Sequence, residues 1–306
     1  MGFVSKIIKP LVSPDMRRVV RTRQRAILHQ LSNSIFTMRS LVGGSIGLLP
    51  DFLIIGAQKC GTTSLYNYLI QSPCIYKSFV KEVGYFDRYY NCKNIKWYRS
   101  HFPSFIRRSI IKNILKKEFV TGEASTGYIL NPHSLRRIFE VTPEAKLILM
   151  LRNPIDRAYS HYHYTSSMGL ETLSLEEAIK AEKKRIGEAW NRTMMDETYY
   201  NFDIALYAYI STGIYADQVK VLLSLFPRDQ IMFIKSEDFF KDTVGTVKQA
   251  LEFLNLPSWE LKSTKIYLKG KKSRMNGNLR KKLCDFYRPH NFRLYELIGM
   301  DFGWES

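Results

Sequence analysis

"IIGAQKCGTTSL", residues 54–65, is the stretch on which the fold turns. A short apolar run ends in Gly56, a turn leads to Gly61, and Thr62, Thr63 and Ser64 open the next segment. That order reads as a buried parallel strand, a tight turn and a helix N-terminus. Backbone N–H groups and the positive end of a helix dipole gather at such a turn, and both favour an anion. The glycine spacing matches the nucleotide loop G-x-x-x-x-G-K-[ST], yet Thr62 stands where its lysine belongs. The lysine is displaced into the loop, at Lys59. An ordinary capped βα turn needs neither that lysine nor three hydroxyls, so the stretch reads as a phosphate site.

Working outward, the same pattern recurs. "AKLILMLRNP", residues 145–154, is an apolar strand stopped by Arg152 and Pro154, with a helix expected over 155–167. "DQIMFIKSEDF", residues 229–239, reads as a third strand, followed by a helix over 243–254. Strands alternating with helices imply an α/β fold, a three-layer sandwich around a central parallel sheet of P-loop-like type. Such sheets bind ligands beyond the carboxyl ends of their strands. The globular domain is expected to span 49–306. Residues 1–48 form a basic arm with eight Lys or Arg and one acid, Asp15. A weak contact with a membrane surface through an amphipathic helix is one reading of the arm, and a solvated helix is the other.

The 306-residue chain carries 46 Lys and Arg against 28 Asp and Glu, a formal charge of +18, which favours an anionic partner. Its densest basic blocks are the arm and residues 269–282, and the chain matches no RNA-binding signature, so nucleic acid is not the expected ligand. Cys60, Cys74, Cys92 and Cys284 form no C-x-x-C pair, and free thiols in a cytoplasmic, reducing compartment are expected. A Golgi lumen or a peripheral membrane setting is the alternative. No metal-ligand cluster is evident: His161 and His163 lack neighbouring cysteines. The apolar run from Leu41 is too broken by Gly and Pro for a membrane span of about 20 residues, and no cleavable leader is recognisable.

"GAQKCGTTSL" resembles the 5′-phosphosulfate loop of the sulfotransferases that use 3′-phosphoadenosine 5′-phosphosulfate (PAPS), in which the lysine lies within the loop. The resemblance implies a sulfotransferase fold. It also implies that Lys59, with Cys60, Gly61, Thr62, Thr63 and Ser64, holds the phosphosulfate, and that Lys59 stabilises the leaving phosphate. "LRNPIDRAYSHY", residues 151–162, is similar to the family's 3′-phosphate motif, with Arg152 and Ser160 as its arginine and serine. A guanidinium grips phosphate oxygens as a fork. "KEVGYFD", residues 81–87, resembles an element of the carbohydrate, heparan sulfate-like branch, which makes Glu82 the catalytic base and Asp87 an acceptor contact. Gly84 replaces a histidine frequent there, so His101, His133, His161 or His163 would have to supply any histidine assistance.

"TGEASTGYIL", residues 121–130, is similar to the family's acceptor segment, with Thr126 in place of the usual proline and Glu123, Ser125 and Tyr128 as acceptor contacts. The basic run 269–282 resembles a loop that closes over the nucleotide, through Lys269, Gly270, Lys271, Lys272 and Arg274. Residues 171–210 are expected to line or cover the acceptor side. Together these imply sulfuryl transfer from PAPS to a hydroxyl or amine, a sugar by branch resemblance, without a metal. Sulfation of a non-carbohydrate small molecule is the first alternative. A nucleotide kinase fits less well, because Thr62 replaces the kinase lysine and Arg152-Asn153 occupies a strand end where an acid would bind magnesium.

Overall fold

The computed structural model describes residues 46–264 and 275–305. Five parallel strands form one sheet in the order β2-β3-β1-β4-β5. They are β1 (Phe52–Gly56), β2 (Ile75–Lys77), β3 (Val120–Ala124), β4 (Lys146–Leu151) and β5 (Ile231–Lys235). β1 lies at the centre, with Phe52 opposite Gly122 on one side and Lys146 on the other. Its residues and all of β4 after Lys146 are buried, which is why both read as unbroken apolar runs. Gly122 is required by that neighbour: a Cβ there would lie 2.4 Å from the Phe52 ring.

Helices α1 (Thr62–Leu69), α2 (Ile95–Arg99), α3 (Phe105–Ser109) and α4 (Pro132–Val141) occupy the first half. α5 (Pro154–Ser167), α6 (Leu175–Met195), α7 (Phe202–Tyr207) and α8 (Tyr215–Leu225) separate β4 from β5. α9 (Ser236–Lys241), α10 (Thr243–Phe253) and α11 (Gly277–Ile298) follow. α1 packs with α10, and α8 packs with α4 and α11, which completes the three layers. Local chemistry sets the helix starts. Asn153 caps α5 by accepting from the N–H groups of Ile155 and Asp156, with Pro154 in the first turn. Ser174 and Glu177 form a capping box on α6.

The third strand is shorter than the sequence implies. It stops at Lys235, and residues 236–239, expected as strand, begin α9. Ser236 is buried there and donates to the Cys60 carbonyl at 2.8 Å, while the Glu237 carboxylate accepts from Asn153 N at 2.9 Å. The phosphate loop and the β4 turn thus pull the chain out of the sheet. Residues 1–45 and the loop residues Lys269, Gly270, Lys271, Lys272 and Arg274 lie outside the described residues. Among the described residues no helix is long and apolar enough to cross a membrane. The four cysteines are free.

Candidate active site

The segments leaving the carboxyl ends of all five strands start from one edge of the sheet, and most of the described candidate residues lie on them. After β1, Lys59 (φ 70°) and Gly61 (φ 97°) both adopt left-handed backbone. Glycine does so freely, whereas a lysine there stores strain of a kind that collects at functional sites. α1 starts at Thr62 with no side-chain cap and no acid in its first turn, which leaves its amide end available to an anion. Thr62 and Ser64 are buried, and Thr63 is half-buried. The Cys60 thiol turns inward, 3.9 Å from the Tyr215 hydroxyl, and burial pushes its pKa up to about 11. Cys60 therefore stays a neutral thiol, and only its backbone faces the loop's chemistry.

The Lys59 ammonium lies 4.2 Å from the centre of the Tyr164 ring and forms no ion pair with any described residue. Burial, helped by the positive charge of Arg152, pushes its pKa down to about 8. Arg152 follows β4 and is half-buried. Its guanidinium donates to the Lys59 carbonyl at 3.3 Å and has no carboxylate partner among the described residues, while its own carbonyl accepts from Tyr215 at 3.0 Å. Two neighbouring cations without a counterion are costly unless an anion joins them. Ser160, two turns along α5 from Arg152, is half-buried, and its hydroxyl bonds no other described residue.

Glu82 stands on the segment after β2, again with left-handed backbone, at φ 59°. Its carboxylate pairs with Lys81 at 2.6 Å and accepts from Thr126 N at 3.0 Å. The Thr126 hydroxyl adds longer contacts of 3.3 and 3.4 Å. A proline at 126 has no N–H to give, so the departure from the family pattern supplies a donor to the expected base. Among the described residues only Lys116 and Asn255 join Lys59 and Glu82 as non-glycine residues with positive φ.

Glu123, Ser125 and Tyr128 are not placed to meet an acceptor. All three are buried to within 1%. The Glu123 carboxylate accepts from Ser125 Oγ at 2.7 Å, from the Tyr98 and Tyr128 hydroxyls at 2.8 Å each, and from Val83 N at 3.2 Å. Ser125 Oγ in turn accepts from Gly84 N at 3.1 Å, and Tyr128 Oη from Tyr85 N at 3.0 Å. These groups fasten the backbone just after Glu82 to the end of β3. Burial raises the Glu123 pKa to about 7, against the pull of those donors.

Asp87 does reach a cavity. It lines a pocket of about 470 Å³, counting the open mouth, with Arg88, Gly127, Trp190, Tyr200 and Asn201 among its walls. Asp87 faces Arg88 at 3.8 Å, yet Asp87 Oδ1 and Arg88 Nε are buried without hydrogen-bond partners. Burial raises the Asp87 pKa above the usual carboxylate value. Trp190, on α6, and Tyr200, just before α7, come from the region expected to cover the acceptor side, though neither was singled out by motif. The pocket also reaches Ala205, whose carbonyl accepts from Gln58 of the phosphate loop at 3.4 Å. His161 is buried beside Arg157, bonds the Ala205 carbonyl at 3.0 Å, and has its pKa lowered to about 3 by burial first and then by Arg157. His101 is likewise buried against the Trp97 carbonyl, at 2.9 Å. Among the described residues no group of His, Cys, Asp and Glu is arranged to hold a metal ion.

A parallel sheet with a lysine in the turn after one strand and an arginine just after its neighbour, neither ion-paired among the described residues, is the arrangement against which sequence comparison is set. The sulfotransferase domain family matches residues 49–286, and the chain belongs to that family, whose sulfuryl donor is PAPS. The chain is 27% identical over 330 residues to the membrane-associated sulfotransferase kil1 of Dictyostelium discoideum, covering 87% of this chain and 68% of that protein. It is 29% identical over 281 residues to heparan sulfate glucosamine 3-O-sulfotransferase 6 of Homo sapiens, with 83% and 73% covered. With heparan sulfate glucosamine 3-O-sulfotransferase 3B1 of Mus musculus the identity is 27% over 283 residues, with 84% and 65% covered. The chain thus spans about two thirds of the length of these relatives. A sulfotransferase from Alicyclobacillus acidocaldarius shares the fold with a TM-score of 0.66 and 31% identity, over 85% of this chain and all of that one.

Proposed function

We propose that the chain moves a sulfuryl group from PAPS to a hydroxyl or amine of a carbohydrate. The observation that carries this reading is the pair of neighbouring cations, Lys59 and Arg152, which have no carboxylate partner among the described residues. The residues fit a doubly anionic nucleotide. The uncapped start of α1 and Lys59 would hold the 5′-phosphosulfate, and Arg152 with Ser160 would hold the 3′-phosphate. Tyr164 keeps Lys59 positioned by a weak cation–π contact that a phosphate readily outbids.

Glu82, braced by Lys81 and Thr126, takes the proton from the acceptor. The freed lone pair forms the new bond to sulfur as the sulfur–oxygen bond to the phosphate breaks. Lys59 then meets the charge left on that phosphate. Asp87, Trp190 and Tyr200 suit a sugar, because a carboxylate accepts from hydroxyls and aromatic faces pack on a ring. Relatives named for heparan sulfate glucosamine support the same acceptor class.

The test is transfer of labelled sulfate from PAPS across a panel of sugars, amines and phenols. Glu82→Gln should lower the turnover by about a hundredfold or more while leaving binding of the product nucleotide intact. Full activity in Glu82→Gln would put the base elsewhere. The absence of transfer to every acceptor, with magnesium-dependent ATP turnover instead, would favour a kinase.

A further inference from the structure

The chain between α2 and β3 presents a surface that sulfuryl transfer does not use. Residues 105–117 read FIRRSIIKNILKK, with five cations and no acid. α3 runs straight into a wider helical turn over Ile110–Ile114, so ten residues form one continuous helical stretch. Ile111 is buried and anchors it. Phe105, Ile106, Ile110, Ile114 and Leu115 are instead between 45% and 71% exposed. Ile106, Ile110 and Ile114 are four residues apart, the spacing that lines side chains up along a helix.

Scattered exposed apolar residues need no explanation, but five within eleven residues do. The charges divide in two. Arg107 lies over the Tyr76 ring at 5.0 Å, and Arg108 pairs with Asp51, so both brace the stretch against the domain. Lys112, Lys116 and Lys117 are exposed and form no ion pair among the described residues.

We propose that residues 105–117 dock the protein on an anionic lipid bilayer. The isoleucine row would enter the boundary between headgroups and acyl chains, and the three lysines would meet anionic headgroups. A nucleic acid would use the cations but offers nothing to a row of isoleucines. A second copy of the chain would bring two sets of unpaired lysines together.

The place of the stretch in the fold agrees. Asp51, which Arg108 grips, precedes β1 and accepts from Thr121 N near the start of β3 at 2.7 Å. The surface therefore lies at the amino-terminal edge of the sheet, opposite the catalytic edge, and docking leaves the cleft open to solvent. The Ile46 carbonyl accepts from Phe105 N at 2.8 Å, which fastens the start of the stretch to the chain ahead of β1.

Flotation of the full chain with vesicles of phosphatidylcholine, with and without phosphatidylserine, tests the proposal. The wild type should float with the phosphatidylserine vesicles only, and salt should weaken the binding. The double variant Ile110→Asn/Ile114→Asn keeps every charge and should bind at least about tenfold more weakly. Lys112→Gln/Lys116→Gln/Lys117→Gln should lose about fivefold per lysine. Both variants should keep the wild-type melting temperature and nucleotide affinity, which separates lost docking from lost folding. The proposal falls if the wild type ignores phosphatidylserine vesicles, or if the isoleucine variant floats as the wild type does. It also falls if that variant instead abolishes self-association or binding to duplex DNA.

Discussion

Raising the pH should strip donor affinity from this site through one side chain. The Lys59 pKa is lowered to about 8, first by burial and then by Arg152, and a bound phosphate would supply the missing counter-charge and pull it back up. In the free protein Lys59 is then about nine-tenths charged at about pH 7 and about one-tenth charged at about pH 9. Binding of the 3′,5′-bisphosphate product should therefore take up about 0.1 proton at the lower pH and about 0.9 at the higher. Affinity should fall about tenfold across that interval, about 1.4 kcal/mol, because the bound state must first recharge the lysine. Titration calorimetry in two buffers of different ionisation enthalpy reads the proton number directly. The neighbouring thiol does not intrude, since burial holds Cys60 near 11. Lys59→Met should bind weakly with no pH-dependent uptake. Equal proton uptake at both ends of the range, or wild-type uptake in Lys59→Met, would refute the reasoning.

Three further outcomes follow from the same geometry. Arg152→Ala should weaken nucleotide binding by about 2 kcal/mol, the loss of a charge-assisted pair, in a direct binding assay, and since its guanidinium makes only a long bond to the Lys59 carbonyl, thermal stability should change little. Thr126→Ala keeps the N–H that bonds Glu82 at 3.0 Å and should be nearly silent, whereas Thr126→Pro removes that donor and should lower turnover roughly tenfold. For Glu123 the sign runs against the usual carboxylate. Its folded pKa of about 7 exceeds the ordinary 4.5, so the unfolded chain holds fewer protons between these values and stability falls as pH rises through them. Denaturant midpoints should fall more steeply with pH in the wild type than in Glu123→Gln, by about 3 kcal/mol in total.

What the sequence discloses depends on how residues enter the sheet. β1 and β4 are legible because their apolar runs are buried on both faces, and β5, at the sheet edge, because four of its five residues are still apolar. β3 reads V-T-G-E-A and escapes notice: its glycine answers to the Phe52 ring, and its glutamate is buried on four donors. A buried, satisfied carboxylate and an exposed, reactive one are spelled with the same letter, which is why Glu123 reads as an acceptor contact. Lys59 and Arg152 draw attention as candidates because each lies in the turn after a strand that can be read. Trp190 and Tyr200 are not, since their approach to Asp87 depends on how α6 and α7 fold back over the sheet edge.

The left-handed backbone at Lys59 and Glu82 bears on how this fold would decay. Glycine and asparagine fit that conformation better than lysine or glutamate. A descendant freed from the need to transfer sulfate would gain stability by accepting them there, with the buried strands untouched. Inactive members of the fold should therefore be recognisable by small residues at these two positions, beneath an otherwise intact sheet.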